Sequence, residues 1–189
     1  NTVFNVLNPK FVTRQPMVLD QDLPLCRQDG SELGIVIHPF AVPGKVALWL
    51  EDESKGANFG SVDEDTIALE VKDANGETCF FYIPACASMT TELADRIRGT
   101  RLVFFDGTLW VDDEMVRDGV GVKTGKRMGH MSISGPDGTL AAFKDLDIAR
   151  KLFIHINTTN SVLLEDSPER AEANAAGWEV TYDGMAIEV

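Results

Sequence analysis

A layered α/β fold with mixed sheets is what this 189-residue sequence predicts, and three observations carry it. Strand-like runs come first, at 33–41, 46–50, 66–72 and 79–83. Strand and helix patterns then alternate from residue 90 onward, the order expected of layered α/β or α+β domains. Two turn dipeptides, Asn75-Gly76 and Asp183-Gly184, each sit between apolar runs and signal hairpins, because Asn, Asp and Gly tolerate positive φ. The composition agrees: 44% hydrophobic and 25% charged residues suffice for a real core and exclude a disordered or collagen-like chain.

The elements follow in order. Residues 1–32 carry Pro9, Pro16, Pro24 and Asp29-Gly30, and read as loop with a short helix near 1–8 and a short strand near 16–20. Leu33–Ala41 is apolar and β-branched, a buried strand ending near Pro39. Val46–Leu50 is a second strand, and 51–64 an acidic loop. Thr66–Lys72 and Cys79–Ile83 flank Asn75-Gly76 as the first hairpin. A helix over Thr90–Arg98 puts Leu93, Ala94 and Ile97 on one face and ends at Gly99. Arg101–Phe105 is a buried strand stopping at Asp106-Gly107. Residues 116–139 are Gly-rich and read as a long loop, with a helix beginning near Thr139. Lys151–Ile156 is a further strand. Asp166-Ser167-Pro168-Glu169 opens a helix with cap, early proline and acidic first turn, and Gly177 closes it. Trp178–Tyr182 and Met185–Val189 make the second hairpin.

Charge and cysteine content narrow the function classes. Seventeen basic against 30 acidic residues give −13, a poor balance for nucleic acid or an anionic membrane surface. No run approaches the roughly 20 apolar residues of a membrane helix. Three scattered cysteines, Cys26, Cys79 and Cys86, form no CxxC, which points to a reducing, cytoplasmic setting. No phosphate-binding glycine motif, HExxH or GxSxG occurs.

Chemistry in layered α/β proteins gathers beyond the carboxyl ends of strands. Asp106 follows one strand, His155 ends another, and His130 lies in the Gly-rich loop. Two imidazoles and a carboxylate suit metal binding or proton transfer. Each also has a plainer reading: Asp106-Gly107 as a turn, His130 as a solvated loop residue, His155 as a packed strand end. His38, before Pro39 in an apolar run, reads as structural. Lys123, Lys126 and Arg127 form a basic island able to draw in a carboxylate.

Several blocks together are more specific. Asp106-Gly107-Thr108-Leu109-Trp110 with Asp112-Asp113-Glu114-Met115 resembles the DGTLW-x-DDEM signature of the coenzyme PQQ synthesis protein B (PqqB) family. Gly119-Val120-Gly121, Thr124-Gly125 and Met128-Gly129-His130 resemble its next block. His155-Ile156-Asn157-Thr158-Thr159-Asn160 resembles its HINNTN block, with Thr158 replacing an Asn. Glu165–Glu172 and Tyr182–Met185 resemble its ending. The match is strong over 101–189, looser over 33–100 and slight over 1–32.

The resemblance implies a metallo-β-lactamase-like αββα sandwich, two mixed sheets face to face with helices outside. It implies a role in biosynthesis of pyrroloquinoline quinone (PQQ), through iron-dependent hydroxylation of the tyrosine ring in a Glu-Tyr unit by O2. The alternative it implies is a carrier that moves PQQ or its precursor to the periplasm. His155 takes the place of the fold's last metal-binding histidine, and His130 and Asp106 are the expected catalytic residues. Lys126, Arg127, Asn157 and Asn160 are the expected substrate contacts.

The family's early block, with a CxCxxC zinc site and an Asp-His pair, has no counterpart here. The resemblance therefore implies that 1–189 is the second part of one domain, with 1–32 as lead-in. A first part would supply most metal ligands, hold the structural zinc and cover apolar sheet surface. His155 alone is too few ligands for a catalytic metal. A homodimer is compatible with this reading. A two-metal hydrolase is disfavoured, because the strand end Phe81–Cys86 carries no carboxylate.

Overall fold

The structure, a computed structural model, describes residues 5–47, 50–56 and 58–189. Seven strands form one mixed sheet in strict chain order: β1 (Leu23–Cys26), β2 (Glu32–Ala41), β3 (Ile67–Asp73), β4 (Thr78–Ile83), β5 (Leu102–Asp106), β6 (Arg150–Ile154) and β7 (Trp178–Val180). The first four run antiparallel to their neighbours, and β4 to β7 run parallel. Parallel neighbours need crossovers, and these supply the helices α1 (Thr91–Ile97), α2 (Glu114–Arg117), α3 (Gly125–Met128), α4 (Thr139–Ala142) and α5 (Pro168–Ala175).

The two faces of this sheet differ. Phe81, Ile83, Val103, Phe105 and Phe153 point to the side covered by Leu93 and Ile97 of α1 and Ala173 of α5. Trp178 stacks on Phe153 at 4.0 Å between ring centroids and meets Phe143 edge-on at 4.9 Å. The opposite face carries Ile37, Leu69, Val71, Phe80 and Phe104, only half-buried, and Tyr82 at 40% exposure. Among the described residues, this chain thus forms one sheet of the layered architecture, with an apolar face left open.

Most elements lie where the sequence places them. Thr90 caps α1 through Leu93 N, and Ser167 caps α5 through Arg170 N with Pro168 following. Asn75-Gly76 closes the β3–β4 hairpin, with the Asp73 carboxylate accepting from Asn75 N and Glu77 N.

Five expectations are corrected. No strand forms near 16–20; Asp20 takes φ +57° in a turn, and the first strand is Leu23–Cys26. β2 runs through Pro39, whose carbonyl accepts from Asp20 N and so serves the edge. The loop over 116–139 contains the end of α2 and all of α3. β6 stops at Ile154, because His155 takes φ +53° and turns the chain out of the sheet. The second hairpin is absent among the described residues: β7 ends at Val180, a turn closes from Met185 N to Tyr182 O, and 186–189 form no strand. Of the expected helix near 1–8, residues 1–4 lie outside the described residues. Of the strand over 46–50, residues 48–49 do too, and 46–47 are irregular.

Gly107 joins fold to site. A Cβ there would stand 2.9 Å from Phe153 Cβ and 3.2 Å from Ile154 O, between the ends of β5 and β6. Gly107→Ala should therefore destabilise the fold by about 1–3 kcal/mol, seen as a lower urea midpoint. An unchanged midpoint would show that the strand ends can spread at no cost.

Candidate metal centre

Parallel pairing brings the carboxyl ends of β5 and β6 together, with Asp106 opposite Ile154. The Asp106 carboxylate is fully buried, and both of its oxygens accept hydrogen bonds. Oδ2 accepts from Cys86 N at 3.0 Å and His130 Nδ1 at 2.6 Å. Oδ1 accepts from Thr108 N at 3.1 Å and Thr108 Oγ1 at 2.5 Å. The Thr108 hydroxyl has one proton to give, and Asp106 takes it. Its lone pairs then face His155 Nδ1 at 2.8 Å and His130 Nδ1 at 3.2 Å. The network thereby assigns the Nδ1–H tautomer to both imidazoles.

His130 reaches this point through α3. Thr124 caps that helix through Arg127 N, and Gly129 ends it at φ +89°. His130 N then donates to Gly125 O, and Met131 N to Cys86 O. The two imidazoles lie near-parallel, 5.2 Å apart between centroids. His155 pays for its place with left-handed backbone, costing on the order of 1–3 kcal/mol in a non-glycine residue.

Asp106, His130 and His155 each offer a ligand atom within 4.8 Å of the others. Two imidazoles and a carboxylate are a donor set for iron or zinc, so the residues fit the metal that the resemblance implies. The sequence singles out His155 alone as a ligand; the structure brings Asp106 and His130 within reach of it. The reason is topological, since β5, β6 and α3 are far apart in sequence and meet only through parallel pairing.

Electrostatics ties the group together. Burial pushes the Asp106 carboxyl up, but hydrogen bonds from His130, the His155 side and Thr108 outweigh it and hold it below the ordinary range. The Asp106 carboxylate in turn raises His155, against the opposing effect of partial burial. The nearby Cys86 thiol is pushed up to about 12 by burial, so it stays protonated.

The centre opens into a cleft of about 430 Å³ lined by Thr108, Met115, Met128, His130, His155, Ile156 and Asn157. Of the expected substrate contacts, Asn157 lines it. Lys126 lines a separate depression with Ser132 and Ser134. Arg127 is committed to Glu51 by two bonds, 2.9 and 2.7 Å, and covers the Phe59 ring at 3.9 Å. Asn160 is buried: its Nδ2 donates to Gly107 O at 2.9 Å, and its Oδ1 accepts from Val162 N. Thr108, Met115 and Met128 carry no signal in the sequence alone beyond their nearness to Asp106 and His130. The strand end Phe81–Cys86 reaches the centre through the Cys86 amide and brings no carboxylate to it.

A family model described as a beta-lactamase superfamily domain matches residues 1–156. The chain belongs to the beta-lactamase superfamily. It is 54% identical over 187 residues to the coenzyme PQQ synthesis protein B of Xanthomonas euvesicatoria pv. vesicatoria (strain 85-10), covering 99% of this chain and 59% of the relative. It is 53% identical over 189 residues to that of Gluconacetobacter diazotrophicus, covering 99% and 60%. The crystal structure of Zn²⁺-bound PqqB from Methylobacterium extorquens superposes with a TM-score of 0.87 at 42% identity, over 100% of this chain and 60% of that one. The metallo-β-lactamase fold protein YhfI from Bacillus subtilis, at 14% identity and TM-score 0.55 over 92% of this chain and 54% of its own, shares the fold alone. The PqqB resemblance thus extends through the looser 33–100 stretch and the lead-in. The chain spans about three-fifths of the length of these relatives. No helix among the described residues is long and apolar enough to cross a membrane.

Two outcomes are expected. Thr108→Val, which removes the hydroxyl shared by Asp106 and both histidines, should weaken zinc binding about 10- to 100-fold in a chelator competition. Metal binds neutral imidazole, and His155 stays protonated above the ordinary histidine value of 6.5, so zinc affinity should begin to fall above that pH as the solution is acidified. In metal-free protein the signs differ. The His155 contribution to stability is full below 6.5 and lost as pH rises through the raised folded value. The Asp106 contribution is present above 3.8 and lost as pH falls through the lowered folded value. A flat zinc affinity between pH 8 and pH 6 would contradict the coupling.

Proposed function

We propose that this chain serves PQQ biosynthesis, and that its reaction is iron-dependent hydroxylation of the tyrosine ring in a Glu-Tyr unit. One observation carries the reading: His130 and His155, backed by the buried Asp106, stand in the wall of a cleft that Met115, Met128 and Ile156 also line. Thioethers and an isoleucine suit an aromatic ring, since methionine sulfur packs favourably against ring edges. The likeness to PQQ synthesis proteins supports the pathway, and the substrate class is the one the sequence resemblance implies.

His130, His155 and Asp106 would hold the iron. Iron in a site of two histidines and a carboxylate supplies O2 activation. The remaining work belongs to the chain. The methionines and Ile156 hold the ring and exclude water, and Asn157 faces the polar part of the substrate. The Asp106 carboxylate holds the His130 ring in place across 2.6 Å. One ring C–H becomes C–OH with one oxygen of O2; the second oxygen leaves as water, formed with two electrons from an external donor and two protons from solvent. Zinc in a related crystal is compatible with this, because zinc outcompetes ferrous iron at nitrogen and oxygen donors. The carrier reading is not favoured, since holding a ligand without turnover needs no buried histidine–carboxylate cluster.

In this reading residues 1–189 are the second part of one domain, and the open face around Phe80, Tyr82 and Phe104 is covered by the first. The expected test is incubation with ferrous iron, a reductant, labelled O2 and a Glu-Tyr peptide. Mass spectrometry should find one labelled oxygen on the tyrosine ring, and His155→Ala should abolish it. Tight peptide binding without product would favour the carrier.

A further inference from the structure

Glu114 is a buried carboxylate that the reaction does not use. It is 7% exposed, and no ion pair among the described residues includes it. Burying a carboxylate without a counter-charge is costly unless donors surround it. Here they do. Oε2 accepts from Trp110 N at 2.6 Å and more weakly from Val111 N at 3.4 Å. Oε1 accepts from Thr159 Oγ1 at 2.8 Å.

Those donors come from two different loops. Trp110 and Val111 lie on the chain that leaves β5 after Asp106. Thr159 lies on the chain that leaves β6 after His155. The same seam is closed elsewhere by neutral bonds: Asn157 N to Thr108 O at 3.1 Å and Asn160 Nδ2 to Gly107 O at 2.9 Å. Glu114 is the charged member of the seam, and hydrogen bonds to a charged group are about twice as strong as neutral ones. Its neighbour Met115 lines the cleft.

We propose that Glu114 is a positioning residue for the metal centre: its carboxylate clamps the loop after β5 to the loop after β6, fixing the spacing between Asp106 and His155. This rests on the metal-centre reading above. It predicts that the clamp acts on metal affinity beyond any effect on folding, because the ligands' mutual geometry depends on the seam while the sheet does not.

The test is zinc affinity by chelator competition for the wild-type protein and the variants Glu114→Ala, Glu114→Gln and Thr159→Val. Each is measured at a temperature where circular dichroism shows it fully folded. Glu114→Ala should bind zinc about 10- to 100-fold more weakly. Glu114→Gln should stay within about threefold of wild type, since its amide oxygen still accepts from Trp110 and the Thr159 hydroxyl can turn to accept from its NH₂. Thr159→Val, which cuts one side of the clamp and leaves the carboxylate in place, should weaken binding by at least about fivefold. Wild-type affinity in folded Glu114→Ala or folded Thr159→Val would overturn the proposal. If Glu114→Ala does not fold, Thr159→Val decides alone. Wild-type protein that binds no zinc would instead sink the metal-centre reading itself.

Discussion

The buried carboxylate of Asp106 is the constraint on which the centre depends. It sits at zero exposure at the end of β5, where burial alone would favour its neutral form. Four donors reverse that: two backbone amides, the Thr108 hydroxyl and the His130 ring. Once charged, the carboxylate dictates what surrounds it. It draws the Cys86 amide in from the β4 side, fixes the proton positions on both imidazoles and raises His155. The strained backbone at His155 follows from the same requirement, because only by leaving the strand there does its ring reach the shared hydroxyl.

The sheet around this point explains why the centre lies at one edge. In the antiparallel half, β1–β2 and β3–β4 close through short turns, and this half carries little chemistry. The parallel half, β4 to β7, needs crossovers, and each crossover loop opens at the same edge. The loops after β5 and β6 supply Asp106, Thr108 and His155; α3, inside the β5–β6 crossover, returns His130 to the same place. Glu51, gripped by Lys45 and Arg127, fastens the acidic loop to α3 and so supports His130 from behind.

Much of the fold was legible in the sequence, and the reasons are local. Thr90, Ser167 and Pro168 mark helix starts, and Asn75-Gly76 marks a hairpin, because caps and turns are decided within a few residues. Asp183-Gly184 carried the same signal and formed no hairpin; its turn closes, but the edge strand β7 ends before a partner could pair. β2 runs past Pro39 because its pairing with β1 reaches only to Ile37, so beyond that point the β1 side can spare one N–H. The site was legible only in part. Asp106, His130 and His155 announced themselves as residue types at strand ends, and their blocks resembled a known family. That they meet was invisible, since it depends on parallel register across 49 positions between Asp106 and His155. Arg127 and Asn160 looked like substrate contacts by type, yet Glu51 and the Gly107 carbonyl claim them. Thr108 and Glu114 are ordinary in sequence; their importance is a matter of burial.

The most direct measurement is the anomalous diffraction of a crystal soaked in zinc or grown anaerobically with ferrous iron. The expected result is a metal peak bonded to atoms of Asp106, His130 and His155, at roughly 2.0–2.2 Å from each. A fully occupied metal elsewhere in the protein, with the three side chains still held by one another and by Thr108, would contradict it.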